Sequence, residues 1–408
     1  MSGSRPEGQE RELPVGTFGR GGPRYLRLVG RLLRHTLSPG SIGAILRPFG
    51  LRRTLVLLLF VPAFLAIQLV HWLGLLLDEI LFPGYRKVEI REPVFVVGLP
   101  RSGTSYLQRV LAQDESRFTT LRLWEVIVAP SITERRAWLA GAALDRLVGR
   151  PGGRVLERLQ AVVFRFMDDV HPVKLDEPEE DYFFLLPAFA CFLLVVPFPL
   201  HPAVWALARF DDLPVPERSR LVAFYRSCVQ RHLYVTGEDR RILSKNPSFT
   251  PMVRTLSDAF PDARLIFSLR HPREGVPSLL SSLEDGARMF GWDVRTPHLR
   301  DRFVDMLVHF AGHGVETLSS LPPERHAFVP LLALSRNVET TVRELYRRFG
   351  WSPDPAFVER LKVETERSRA FQSEHLYTLA DFGLPEDEIV ERFSPHLDRF
   401  DLKGSRAP

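Results

Sequence analysis

The sequence predicts an α/β fold: a P-loop-type parallel sheet flanked by helices, with a helical cap insertion and an N-terminal membrane-associated helical segment. Three observations predict it. The apolar run VFVVG (94–98) passes through a glycine-bearing loop into the helical pattern TSYLQRVLAQ (104–113), a strand–loop–helix unit. Further short apolar runs at 241–247, 263–272 and 326–334 alternate with amphipathic stretches at 273–286 and 338–350, the rhythm of a parallel sheet covered on both faces. Residues 54–77 hold no Asp, Glu, Lys or Arg, and a spanning helix needs about 20 apolar residues.

Taken in order, residues 1–23 are rich in Gly, Pro, Arg and Glu and read as a disordered basic tail. In RYLRLVGRLLRHTL (24–37), Arg24, Arg27, Arg31 and Arg34 share one helical face, and Leu26, Leu28, Val29, Leu32 and Leu33 fill much of the rest. That is a basic amphipathic helix lying on a membrane. Within the uncharged stretch, Pro62 predicts a kink or a re-entrant hairpin. Spanning and monotopic insertion both fit. Arg47, Arg52 and Arg53 precede the stretch and Arg86, Lys87 and Arg91 follow it, so the charges set no orientation. Residues 24–82 are thus read as membrane-associated and 90–400 as the functional domain. Between its first two strands lies a long insertion. Its apolar part, 182–207, carries Pro187, Pro197, Pro199 and Pro202, which argue against a simple spanning helix. It reads as a helical cap, a hydrophobic acceptor pocket or a core helix.

Charge narrows the partners. The 408-residue chain carries +5; ten Arg and three Glu in residues 1–53 give +7, so the remaining residues sum to −2. The basic balance belongs to the N-terminus, which suits an anionic membrane surface and argues against nucleic acid. Cys191 and Cys228 are too few for a disulfide framework, and no zinc-type Cys/His spacing occurs. Five of the 54 basic residues are Lys, so Lys245 within a strand stands out.

The loop GLPRSGTS (98–105) has the glycines of a phosphate loop but not its lysine. Gly98 permits a tight turn and Gly103 a close approach of backbone to an anion. The amides at Ser102, Gly103, Thr104 and Ser105 open a helix, where the dipole favours negative charge. Arg101 adds a forked cation suited to phosphate or sulfate oxygens. The run RLIFSLR ends in Arg270, where a kinase or ATPase strand would deliver an Asp to magnesium.

GLPRSGTSYLQRVL together with FSLRHPREGVPSLLS resembles the nucleotide-binding core of sulfotransferases that use 3′-phosphoadenosine-5′-phosphosulfate (PAPS), in particular the broad bacterial-type group related to tyrosylprotein sulfotransferases. The resemblance covers about residues 90–400. It implies that Arg101, Ser102, Gly103, Thr104 and Ser105 grip the 5′-phosphosulfate and that Arg270 and Ser278 hold the 3′-phosphate. SKNPSF resembles the family segment whose lysine supports the leaving group, which gives that role to Lys245. Arg367 and Arg369, in a stretch similar to the family's tail, would close over the 3′-phosphate. The co-substrate is PAPS and no metal is required.

Sulfuryl transfer also needs a base for the acceptor's proton. Glu125, in LRLWEVIVAP, lies at the spacing where the resemblance puts a catalytic Glu, and His171 is its rival. Glu177, Glu179, Glu180 and Asp181 read as a solvated helix start before an apolar run. The 182–207 stretch and the N-terminal segment together suggest a hydrophobic or lipid-like acceptor. A bacterial source puts the domain at the cytoplasmic face of the membrane, and a eukaryotic one allows the Golgi lumen. The competing readings are a P-loop kinase or NTPase with a degenerate loop, and a non-catalytic membrane protein that keeps an anion-binding fold.

Overall fold

The computed structural model of the chain describes residues 48–163, 175–237, 239–370, 377–400 and 402. The tail at 1–23, the amphipathic stretch at 24–37 and His171 lie outside the described residues. The first element is α1 (Pro48–Leu81), which runs unbroken through Pro62. The re-entrant hairpin is therefore not formed, and Pro62 sits on the exposed side of a single helix.

β1 (Val94–Gly98) is buried at every residue, as expected of a parallel strand covered on both faces. Its side chains alternate between two cores. Val94 and Val96 join the core of Leu107, Val342 and Leu345. Phe95 and Val97 join that of Phe224, Phe260 and Phe310. α2 (Thr104–Leu111) follows the loop, then β2 (Phe118–Thr119), two residues that no sequence pattern marked. After α3 (Leu123–Ile127) come α4 (Ile132–Leu147) and α5 (Pro151–Val163).

The apolar 182–207 region forms no long helix. It is a chain of single turns at Asp181–Leu185 and Phe192–Val195 and a four-residue helix, α6 (Pro202–Trp205). Its prolines set this broken path. The long α7 (Val215–Thr236) leads to β3 (Arg241–Lys245). Then follow α8 (Val253–Ala259), β4 (Arg264–Leu269), α9 (Pro272–Met289), α10 (Pro297–Ser319) and β5 (His326–Pro330). α11 (Leu331–Arg336), α12 (Val338–Arg348), α13 (Pro355–Ala370) and α14 (Glu386–Leu397) complete the described chain. Asn337 starts α12 by accepting from the Thr340 amide at 2.9 Å.

The five strands form one parallel sheet in the order β2-β3-β1-β4-β5. From β1 the chain runs to the edge strand β2, returns to β3 between them, then crosses to the other side of β1 for β4 and β5. Gly98 at the end of β1 pairs in register with Ser268, and Val96 with Lys245. The loops after β1, β3 and β4 therefore converge at the carboxyl edge, at the point where the strand order reverses. In open α/β sheets that is where ligands bind.

Candidate functional site

The turn after β1 is shaped by close backbone packing. Gly98 has φ +130°, and a Cβ there would lie 2.3 Å from the carbonyl oxygen of Ser268. Thr250 clamps the same residue from below. Its Oγ1 accepts from the Gly98 amide at 2.9 Å and donates to the Gly98 carbonyl at 2.8 Å. Arg101 takes the left-handed region at φ +65°, a conformation costly for a non-glycine residue and common at ligand clamps. Gly103, at φ +81°, caps α2, and no side chain caps the helix's first turn. The first amides of α2 thus face the mouth of the loop, an arrangement suited to an anion.

Three residues distant in sequence meet beside this loop. Arg101 Nε donates to Ser278 Oγ at 3.2 Å. Arg270 donates from a terminal nitrogen to the Arg101 carbonyl at 3.0 Å and from Nε to Glu274 at 3.0 Å. Burial, and then the charge of Arg270, lower the pKa of Arg101. Two guanidinium-bearing side chains beside one loop make an arrangement suited to an anion.

At the end of β3, Lys245 is 3% exposed. Its Nζ donates to Glu180 Oε1 at 3.0 Å and stands 3.6 Å from Glu179 Oε1. The acidic stretch is no solvated helix start. It folds back onto the entry to α3, where the Glu179 amide donates to the Leu121 carbonyl at 2.8 Å and the Leu123 amide to that of Glu177 at 3.2 Å. Burial raises the pKa of Glu180, opposed by Lys245 and reinforced by Glu179. Behind it Asp181 is fully enclosed, accepting from Ser244 Oγ at 2.8 Å and from the Tyr225 hydroxyl. Burial pushes the Asp181 carboxyl up to about 6, against the pull of those two hydrogen bonds.

One cavity of about 490 Å³ joins these groups, within the size range of ordinary small-molecule sites. Its polar end is lined by Arg101, Gly103, Thr104, Ser105, Lys245 and Arg270, with Glu177, Glu179 and Glu180 along one side. Its other end is apolar, with Phe192, Leu193, Val196, Leu283, Phe303 and Phe310 in the wall. The 182–207 region therefore divides: Phe192, Leu193, Val195 and Val196 face the cavity, while Phe184, Leu185 and Phe189 are core.

The remaining predicted residues fall elsewhere. Ser102 is buried and donates to the Leu99 carbonyl at 2.5 Å, so it shapes the loop. Glu125 requires a correction: it is absent from the cavity wall. Its Oε2 accepts from the Arg122 amide at 2.8 Å and its Oε1 from Arg135 at 3.2 Å, beside His232. It starts α3 and neutralises a buried arginine. Arg367 and Arg369 also lie off the cavity, at the end of α13. Arg367 stands 3.7 Å from Glu364 in solvent, and Arg369 donates to the Arg336 carbonyl at 3.1 Å. Sequence reasoning passed over Glu179 and Glu180. The available signal was their position near an apolar run in a chain whose rare lysine needed a partner.

Comparisons with known proteins bear on the family and the fold. The curated relatives include the omega-hydroxy-beta-dihydromenaquinone-9 sulfotransferase Stf3 of Mycobacterium bovis and of Mycobacterium tuberculosis, each 24% identical over 273 residues. That match spans 66% of this chain and 66% of the relatives' own length. Among solved structures, sulfotransferase STF9 from Mycobacterium avium superimposes with a TM-score of 0.68 at 19% identity, covering 96% of this chain and 93% of that one. Sulfotransferase STF1 from Mycobacterium tuberculosis gives 0.60 at 20% identity, covering 79% and 82%. At such identities these structures speak for the fold. The family model described as the sulfotransferase family matches residues 93–355, from the first strand through the entire site to the start of α13, and on that match the chain belongs to the sulfotransferase family.

Proposed function

We propose that the chain moves the sulfuryl group of PAPS to a hydroxyl of a hydrophobic, lipid-like acceptor, working at a membrane surface. The observation that carries this reading is the one cavity that runs from the loop after β1, past Glu180 and the buried Lys245 it pairs with, to an apolar wall. The Stf3 relatives, named for a menaquinone-derived acceptor, support a lipid-like substrate. Their mycobacterial source supports placement at the cytoplasmic face.

The residues present fit PAPS. The uncapped amides of α2, with Thr104, Ser105 and Arg101, would hold the phosphosulfate. Arg270 and Ser278, already in contact with Arg101, would hold the 3′-phosphate. Bound there, PAPS supplies the sulfuryl group and a bisphosphate leaving group. Lys245 is placed to balance the charge left on the bridging oxygen. Glu180 holds the acceptor's proton. It faces the cavity, and its burial makes it a stronger base than an ordinary surface carboxylate. The base role thus passes from Glu125 to Glu180.

The test has two parts. Isothermal titration should detect adenosine 3′,5′-bisphosphate binding, weakened in Arg101→Ala; no binding to the wild-type chain would overturn the nucleotide assignment. Mass spectrometry of a lipid extract incubated with enzyme and labelled PAPS should show a sulfated lipid. A product confined to soluble glycans would overturn the acceptor assignment.

A further inference from the structure

We propose that α1 lies in the plane of an anionic lipid bilayer, tied to the body by its inner face and bedded in lipid by its outer face, and does not cross the membrane. This rests on the membrane-surface reading above and decides between the two modes of insertion that the sequence leaves open.

The inner face is a functional dock along its whole length. Leu57, Val61, Gln68, Trp72, Leu75 and Asp78 are buried at helical spacing. At one end Arg53 donates to the Phe290 carbonyl at 2.6 Å. Midway, Trp72 Nε1 donates to the Pro187 carbonyl at 2.9 Å, and His71 Nδ1 meets Glu134 at 2.7 Å. A Cβ on Gly74 would lie 2.4 Å from Ser131 Oγ, so α1 and the start of α4 touch closely. Near the other end Asp78 accepts from the Ile132 and Thr133 amides at 2.8 Å each and from Arg231 Nε at 2.9 Å. These ties extend over about 38 Å of helix. A helix bound to its domain over that distance cannot cross a bilayer without carrying the domain's polar surface into hydrocarbon.

The outer face is apolar throughout. Leu55, Leu59, Leu69, Leu73, Leu76 and Ile80 are exposed, Leu59 and Ile80 at 76% each. A continuous exposed apolar face of this length marks an interaction surface. Charge identifies the occupant. Residues 1–53 carry +7 and lead into one end of α1, and exposed Arg86 and Lys87 follow the other end. A spanning helix would divide the flanking cations, Arg52 at one end and Arg86 and Lys87 at the other, between two leaflets, whereas an in-plane helix leaves them at one layer of anionic headgroups. The placement also suits the acceptor. Leu193 lines the cavity yet is 42% exposed. Four residues on, the Pro197 carbonyl accepts from Arg53 of α1 at 3.3 Å.

The experiment is co-sedimentation of the full chain with phosphatidylcholine vesicles and with vesicles of phosphatidylcholine mixed with phosphatidylglycerol. Binding to the mixed vesicles is expected, and the doubly substituted Leu59→Glu, Leu69→Glu chain should bind about tenfold more weakly or worse, with unchanged Tm and unchanged adenosine 3′,5′-bisphosphate affinity. Because nucleotide affinity is read on the same samples, loss of vesicle binding and failure of the sulfotransferase reading are separate results. Equal binding by the variant overturns the proposal. So does a wild-type chain that ignores both vesicles, including one whose dimer in light scattering is split by the variant, since a second copy would then cover the face. Membrane-impermeant maleimide added outside sealed vesicles should label both Arg52→Cys and Leu81→Cys, with Cys191 and Cys228 buried and silent. Protection of one of the two positions means spanning and overturns the proposal.

Discussion

The two ends of the cavity are built by opposite rules. At the polar end, the three cations are set by the ends of strands: Arg101 follows β1, Lys245 ends β3 and Arg270 follows β4. Each has a defined partner, and the parallel register holds the three strand ends side by side. At the apolar end, the wall comes from single turns around 192–196 and from side chains of α9 and α10, and is mostly apolar. Chemistry that depends on charge tolerates little displacement, whereas apolar contact depends mainly on area and is shared among many side chains.

Substitutions at the two ends should differ in the size of their effect. Lys245→Ala should lower kcat by about 10²–10³-fold while bisphosphate affinity in calorimetry stays near that of the wild type; equal losses in both would remove its transition-state role. Glu180→Gln should lower kcat by about 10²-fold or more, with the wild-type rate on the acid side falling below a pH higher than an ordinary Glu would give, because burial raises its pKa. Asp181, behind the pair, should act on stability instead. Its folded carboxyl keeps its proton up to about 6 against an ordinary 3.8. Its contribution is therefore fully present below the ordinary value and lost as pH rises through about 6, a change of about 3 kcal/mol. Urea midpoints measured across that window should flatten in Asp181→Asn. Glu125→Gln should cost about 1–3 kcal/mol of stability, through the buried Arg135, and leave kcat close to wild type. Smallest of all, Leu193→Ala should raise the acceptor KM a few-fold, about 1 kcal/mol or less. A Leu193 effect as large as that of Lys245 would dissolve the contrast.

The same contrast explains what could be read in the sequence. The phosphate loop was legible because its backbone shape restricts residue type: Gly98 and Gly103 occupy conformations that a side chain would strain. Lys245 was legible as a lysine in a chain that otherwise uses arginine. Glu180 was not, because a run of acids before an apolar stretch looks the same whether it meets solvent or folds back on the entry to α3. Glu125 misled for a physical reason. A Glu in the first turn of a helix caps the chain behind it, and here its carboxylate also serves Arg135. In α1 the two faces were hidden by uniform apolarity, although Gln68, His71 and Asp78 all proved to mark the inner one.

If α1 beds in lipid as proposed, the hydrogen bonds from Arg53 to the Phe290 and Pro197 carbonyls would fix the cavity's apolar end at a set height relative to the bilayer. An enzyme held this way samples its acceptor in two dimensions. Its rate follows the mole fraction of acceptor in the surface and not the amount per volume of water. Diluting the acceptor with inert lipid at constant total lipid should slow turnover, whereas adding more vesicles of the same composition, once all enzyme is bound, should not change it.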